Sequence, residues 1–470
     1  MYKSKKLVIL LVCLSAVSIS NAENIIYVDV NGPNDPGTGT FNDPFRKIQY
    51  AIDDANDSDI VEIRPGIYTA DPNNYNLDPN GKAIIIRSIE PNDPNIVANT
   101  IIDPNGAGRG FYFHSGEDAN CIVAGLTIRN ANSVPGYNGG SVYCYYSDPT
   151  IRNCIIENGR AGGSGGGFFC DYSKSSIINC TITGNSAEYY GGGISCIFSD
   201  LVIVGCMIAG NAAVEGGGID NAQGNPTIIN CVVTDNKASS GGGVSCYYRG
   251  ETNLINCTVT KNSATNAGGA LCCQYESSAT IDNSILWANE ANQGTQLALM
   301  YEGSASVGYC NVQGEWAEVY DPCDNLDWRN GNMDADPCFA TFDPNGDPNM
   351  WDFHLRSMYG RWDGNSQSWV ADLSTSPCID AGDPNSDWAV EPWPNGKRIN
   401  MGAYGGTSQA SMNGNRADFD VDGSVDFIDF AEFANKWLEQ EFCIQDLSAD
   451  GVVEFADLRV FAENWLWKEQ

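Results

Sequence analysis

Between Leu126 and Asn311 short apolar runs alternate with polar residues, and the alternation recurs about every 26 residues. Aligned segments read IRNCIIEN at 151, IINCTITGN at 177, IVGCMIAGN at 203, IINCVVTDN at 228, LINCTVTKN at 254 and IDNSILWAN at 281, each closing on asparagine. One slot of the pattern holds Leu126, Cys154, Cys180, Cys206, Cys231, Cys257, Ser284 and Cys310, with steps of 28, 26, 26, 25, 26, 27 and 26. A second track follows: GGGFFC at 165, GGGISC at 191, GGGIDN at 216, GGGVSC at 241 and AGGALC at 267. Both tracks are rich in Ile, Val and Thr, bounded by Gly and Asn, and too short for helices, so they predict strands. A period of this length marks a solenoid. One coil leaves its apolar face open; coils stacked at about 4.8 Å pair their backbones and close a continuous core. The pattern therefore predicts an all-β chain forming a parallel β-helix.

In such a stack equivalent residues become vertical neighbours. Asn185, Asn211, Asn236, Asn262 and Asn289 are expected to form an amide ladder. The glycine runs suit a corner needing positive φ or close coil approach, and lack the following helix and basic residue of a phosphate cradle. Eleven cysteines occupy the two slots: Cys144, Cys170, Cys196, Cys246 and Cys272, and Cys154, Cys180, Cys206, Cys231, Cys257 and Cys310. In-register Cβ atoms about 4.8 Å apart are wider than the roughly 3.8 Å of a disulfide, so thiol ladders are expected there. Cys323 with Cys338 is the disulfide candidate.

The chain has 470 residues, 25 Lys plus Arg and 59 Asp plus Glu, for a net charge of −34. That charge disfavours nucleic acid and anionic membranes as partners and suits calcium or neutral ligands. Residues 1–22 read as a signal peptide: Lys3, Lys5 and Lys6, an apolar run from Leu7 to Val17, and the exit Ser20-Asn21-Ala22. A secreted or extracellular protein, with no membrane span in the mature chain, is expected; attachment to a cell surface stays open. Residues 23–125 are assigned to an N-terminal cap and first coils, with an amphipathic helix from about Phe45 to Ala55 covering the open end. Residues 126–311 are the regular repeats, 312–410 irregular terminal coils, and 415–470 a separate module. The opening IIYVDVNGPNDPGTGTFNDPFRKIQYAIDDANDSDIVEIRPGIY at 25 and the closing INMGAYGGT at 399 resemble secreted pectate-lyase-like β-helix proteins. That resemblance implies a right-handed β-helix. The Gly and Asn repeats also resemble those of chlamydial polymorphic outer-membrane proteins.

The module carries the sharpest chemistry. In DFDVDGSVDFID, Asp418, Asp420, Asp422, the Ser424 carbonyl and Asp429 take positions 1, 3, 5, 7 and 12 of a calcium loop, with Gly423 at position 6. Twenty-eight residues on, DLSADGVVEFAD repeats it with Asp446, Ser448, Asp450, the Val452 carbonyl and Asp457. Apolar helices follow, FAEFANKWL at 430 and LRVFAENWL at 458. The duplicated loop and helix resemble a type I dockerin, a small α-helical calcium-binding (Ca²⁺) domain, which implies a cohesin-like partner. Positions 10 and 11, often polar in that family, are Phe427 and Ile428, then Phe455 and Ala456. A self-contained calcium-stabilised tail is the alternative.

On the solenoid, residues flanking the second-track cysteines are expected to point outward. Asp171 and Asp220 then share a face about two coils apart, near 10 Å, a little beyond the 6.5–9.5 Å of inverting glycosidases, with Arg249 close by. Asp171, Asp220 and Arg249 are thus the candidate catalytic residues of a glycoside hydrolase or polysaccharide lyase. Two histidines, His114 and His354, leave little room for histidine-based nucleophilic catalysis. The expected function is binding or degradation of polysaccharide by a secreted β-helix attached to a partner through its dockerin-like end. The alternative is a non-catalytic cell-surface or adhesive protein.

Overall fold

A computed structural model describes residues 24–69, 71–133, 136–343, 345–346, 348–415, 417–420, 424–438, 445–447, 452–466 and 468. The signal peptide expected at 1–22 lies outside the described residues, as do Asp422, Ser448 and Asp450.

The described strands stack into parallel sheets of 12, 10 and 9 strands, each taking one strand per coil. One coil runs Thr150–Arg152, Ile155–Glu157, Arg160–Ala161 and Phe168–Asp171. The next repeats it with Ser176–Ile178, Thr181–Thr183, Ser186–Ala187 and Ile194–Ile197, residue for residue in register. Ile151, Ile177, Ile203 and Ile228 form one inward column, and Ile156, Ile182, Ile208 and Val233 another, all fully buried. The expected parallel β-helix is present. It begins earlier than the regular repeat, since Ile25–Val28 already pairs with Ile60–Ile63.

Three corners explain the repeat's polar letters. Asn153, Asn179, Asn230, Asn256 and Asn283 turn between the first two sheets with φ near +50°, a region asparagine tolerates. The next cysteine is tied into that corner: Cys180 N–H donates to Cys206 Sγ at 3.4 Å, and Cys206 N–H to Cys231 Sγ at 3.3 Å. The amide ladder stands as expected. Asn185 donates from Nδ2 to Asn211 Oδ1 (3.0 Å), Asn211 to Asn236 (2.9 Å), Asn236 to Asn262 (2.9 Å) and Asn262 to Asn289 (3.0 Å). At the glycine corner Gly165 has φ +71°, and a Cβ on Gly166 would lie 2.4 Å from the Gly192 carbonyl, so neither position accepts a side chain.

Two cysteine expectations are corrected. The inward column runs Cys144, Cys170, Cys196, Asn221, Cys246 and Cys273; Cys272 pairs with Ser245 and faces outward. One residue is inserted between Ala264 and Ala267, where the pairing step changes from 26 (Ala238 with Ala264) to 27 (Ser240 with Ala267), and a one-residue slip reverses the face of every side chain. Cys323 and Cys338 are both free thiols, the first exposed and the second half-buried, so no disulfide joins them.

Helix α1 (Ile48–Asp54) buries Ile48, Ala51 and Ile52 against the first coil. Helix α2 is Pro94–Asn99. Residues 312–410 add part of another coil as far as Met333, which bridges to Asn311, and then fold back along the flank. There Phe339, Phe353, Cys378 and Met401 pack with Val232 and Ile285 from the outer side of the ten-stranded sheet. The corner asparagines clamp this segment: Asn230 Nδ2 donates to the Ala403 and Gly405 carbonyls (3.0 and 2.7 Å), and Asn256 Nδ2 to Asn400 (2.9 Å). No helix among the described residues is long and apolar enough to cross a membrane.

The C-terminal residues form helices α3 (Phe427–Asn435) and α4 (Phe455–Glu463). Ala417, Phe419, Val425, Phe433, Leu447, Val453 and Phe461 make their small core, and Trp393 from the folded-back segment packs on it. Backbone hydrogen bonds are exchanged reciprocally, Leu438 N–H to Val453 O at 2.8 Å and Leu466 N–H to Val425 O at 2.9 Å. This exchange follows the sequence duplication.

Candidate functional site on the nine-stranded sheet

The outer face of the nine-stranded sheet carries three columns of side chains. The first is Tyr112, Tyr143, Phe169, Ser195, Asp220 and Ser245, each paired with the next coil. Its aromatic end is a run of ring contacts: Tyr112 meets Tyr143 edge-on with centroids 5.2 Å apart, and Tyr143 stacks on Phe169 at 5.3 Å. The Arg109 guanidinium lies 5.5 and 5.1 Å from the Tyr112 and Tyr143 rings. Tyr145, Asp171, Ile197, Ala222 and Tyr247 form the second column.

The third column sits at the corner leaving the sheet. Tyr146, Tyr172, Phe198, Gln223, Tyr248, Tyr275 and Tyr301 all take φ between +48° and +60°. Each of the six aromatics is at least 40% exposed. Tyr146–Tyr172 and Tyr172–Phe198 stack at 4.7 Å, with ring planes 5° and 11° apart. Tyr248–Tyr275 and Tyr275–Tyr301 stack at 5.6 and 4.8 Å. Sequence reasoning missed this column. Its signal was present in CYY at 144, CDY at 170, CIF at 196 and CYY at 246, an aromatic two residues after each cysteine.

From Tyr248 onward the corner gains a second positive-φ residue, Arg249, Glu276 or Glu302. A groove of about 610 Å³ opens there, lined by Gln223, Tyr248, Arg249, Tyr275, Glu276, Tyr301 and Glu302.

The three sequence candidates do not converge. Asp171 and Asp220 lie on the same sheet face but in different columns. Asp171 is half-buried, which raises its pKa. Asp220 is only 1% exposed, correcting its expected place on an open surface. Arg249 is exposed and pairs with Glu276 at 2.8 Å rather than with either aspartate.

Asp220's acidic neighbour is Glu215, from the glycine corner of its own coil, a residue the sequence reading did not select. Burial pushes the Asp220 pKa up to about 8, with Ser245 opposing and the Glu215 charge adding to the rise. Burial also lifts Glu215 to about 7, against its hydrogen bonds with Gln274 and Ser240. Gln274 Nε2 donates to Glu215 Oε2 at 3.0 Å, reaching across coils. Tyr190 sits beside both carboxyls. Asp220 Oδ1 and Ser195 Oγ are buried without a hydrogen-bond partner. The pair can hold and release protons near neutral pH. Another raised carboxyl, Glu391 at about 7, accepts from Gly406 and Asn400 N–H (2.6 and 2.9 Å) and is structural.

In the C-terminal module, carboxylate oxygens of Asp418, Asp420 and Asp429 lie within 4.8 Å of one another. Asp429 is fully buried and accepts from the N–H groups of Phe419 (2.6 Å) and Asp426 (2.8 Å). Asp457 is equally buried and accepts from Glu454 N–H at 2.7 Å. The helices start at position 10 of each predicted loop, so Asp429 and Asp457 stand in their first turns. Three convergent carboxylates are the hard oxygen donors a calcium ion takes.

Residues 83–259 match the family model described as right-handed β-helix region, and residues 309–382 match the one described as disaggregatase related. The fold is therefore that of a right-handed parallel β-helix protein. Among solved structures, pectate lyase Pel9A is similar at 17% identity and TM-score 0.49, covering 84% of this chain and 97% of that one. A rhamnogalacturonan lyase is similar at 14% and TM-score 0.37, covering 69% and 94%. The A-module of the Azotobacter vinelandii mannuronan C-5 epimerase AlgE6 is similar at 15% and TM-score 0.30, covering 62% and 94%. No curated protein matches the chain.

Proposed function

We propose that this protein binds an extended polysaccharide along the outer face and corner of its nine-stranded sheet. The observation that carries the reading is the pair of exposed aromatic stacks, Tyr146–Tyr172–Phe198 and Tyr248–Tyr275–Tyr301, running along the solenoid axis. Exposed aromatic area of this extent is costly to leave in water and marks a binding surface. Rings bring large contact area at small entropic cost, and the weakly positive C–H groups of sugars suit their negative faces. A repeating ligand matches a repeating surface.

Cleavage is a second reading, favoured by one observation. Glu215 is a half-buried carboxyl at the edge of the sheet with its pKa raised toward neutrality, the state a general acid needs. In this reading Glu215 donates the proton that burial keeps on it, and the fully buried Asp220 beside it is a positioning residue. Asp171 lines the same face.

The C-terminal module is a calcium-stabilised dockerin-like domain in this proposal. Asp418, Asp420, Asp429 and the Ser424 carbonyl would hold one ion, and Asp446, Asp457 and the Val452 carbonyl a second, with Asp422, Ser448 and Asp450 completing the loops. Bound calcium would neutralise these acids and tie each loop to its helix. Secretion, and attachment to a cohesin-like partner, complete the reading.

A screen of the full chain against insoluble and soluble glycans tests it, with retention measured by pull-down and products read as reducing ends or unsaturated sugars. Retention that falls at least fivefold in Tyr172→Ala supports the binding surface. No retention on any glycan overturns it.

A further inference from the structure

Gln223 is the one position from Tyr146 to Tyr301 at which the exposed corner column lacks an aromatic ring. Its coil is in register with both neighbours: Ile197 pairs with Ala222 and Ala222 with Tyr247, so Phe198, Gln223 and Tyr248 follow one another up the corner. Within each stack the rings lie nearly parallel, 11° for Tyr172–Phe198 and 23° for Tyr248–Tyr275, so inner ring faces are consumed by neighbouring rings. Only the end rings keep a face without a parallel neighbour, with Tyr247 standing at 60° to Tyr248, 5.0 Å between centroids. Phe198 and Tyr248 end their stacks at the gap, two rungs or roughly 9.6 Å apart.

We propose that the interruption at Gln223 is a subsite that clamps one pyranose ring of a bound glycan between Phe198 and Tyr248. The inference rests on the polysaccharide reading above and narrows it. Carbon–carbon contacts of about 3.5–4.0 Å on each side take up roughly 7–8 Å, and the remainder fits the pucker of a saturated ring. A flat aromatic ligand would leave the slot underfilled. The groove beginning at Gln223 then carries the chain onward past Tyr248, Tyr275 and Tyr301.

The charges of that groove narrow the ligand class. Arg249 is already paired with Glu276 at 2.8 Å, and Glu302 adds a further acid. A uronate would meet net negative charge here, so the clamped sugar is neutral.

Gln223 itself takes φ +60°, close to the +48° to +55° of the tyrosines and phenylalanine in its column, so Gln223→Tyr completes the ladder without backbone change. Calorimetric titration of the full chain uses β-1,4-linked hexaoses of glucose, xylose, mannose and galactose, with hexagalacturonate alongside. At least one neutral hexaose should bind. Gln223→Tyr should weaken it tenfold or more with an unchanged melting temperature, and Gln223→Ala should bind within threefold of the parent. Equal binding by parent and Gln223→Tyr overturns the clamp and leaves the wider reading standing. Binding of hexagalacturonate alone overturns the neutral class. If no hexaose and no insoluble glycan is retained, the clamp and the polysaccharide reading fall together.

Discussion

Phe455 meets the Trp437 ring edge-on, at 5.2 Å between centroids and 85° between planes. Twenty-eight residues away in each partner the contact is repeated, Phe427 against Trp465 at 5.0 Å and 81°. Each helix start therefore leans on the other repeat's helix end, and the half-modules are coupled. Calcium titration into the chelator-treated full chain should change tryptophan emission and the near-ultraviolet circular dichroism, with both loops contributing. Asp418→Asn should weaken the response at least tenfold. A spectrum indifferent to both calcium and chelator would remove the metal assignment.

Asp220 and Glu215 make stability depend on pH. Asp220 has a folded-state pKa of about 8 against an ordinary 3.8, so the native state keeps a proton that the unfolded chain releases. Its contribution is whole below about pH 4 and is lost as pH rises through 8. Glu215 acts in the same direction between 4.5 and about 7. Urea midpoints should fall from pH 5 to pH 8, and Asp220→Asn should flatten that fall, gaining on the order of 2–4 kcal/mol at pH 8. Parallel declines in parent and variant would show that the charge lies elsewhere.

The amide ladder is continuous, so one member serves two coils. Asn211 accepts from the Asn185 backbone and side chain (2.9 and 3.0 Å) and donates to the Ile182 carbonyl (2.9 Å) and Asn236. Asn211→Ala strands these buried groups and should cost about 2–4 kcal/mol in denaturant unfolding. Asn211→Asp is expected to be worse above pH 5, because it places an uncompensated charge in the column.

Thiol labelling should separate the cysteines by place. Burial pushes the thiols of Cys154, Cys180 and Cys206 well above the ordinary value of 9.0. Among the described residues, Cys323 is the exposed thiol. A neutral disulfide reagent should modify Cys323 in the native protein within minutes and the column cysteines only after unfolding. Peptide mapping that finds Cys180 labelled at the rate of Cys323 would contradict the packing of the column.

Much of this architecture is legible in one dimension because a solenoid is nearly one-dimensional. Each coil contacts only its neighbours, so a residue's surroundings can be read from letters one period away. The asparagine ladder and the column Cys154, Cys180, Cys206 follow from period alone. The misplacement of Cys272 has the same origin: one inserted residue reverses inside and outside, and only the pairing of Ser245 with Cys272 reveals it. The Cys323–Cys338 pairing was an inference from compartment, with no repeat to constrain it.

The candidate site divides differently. The outward columns were countable from the sequence, and so was the aromatic two residues after each cysteine. Exposure was not. Asp220 is outward by register yet buried, with Glu215 and Tyr190 of the glycine corners beside it, a proximity that depends on backbone turns that letters do not encode. The fold-back of the segment beyond Met333 onto Asn230 and Asn256 is likewise a contact across more than 140 residues. The sequence by itself determined the stack, its period and the inward columns, because those depend on local pattern and backbone pairing. Only the tertiary structure decided which outward side chains meet water, because that depends on what distant segments lay over them.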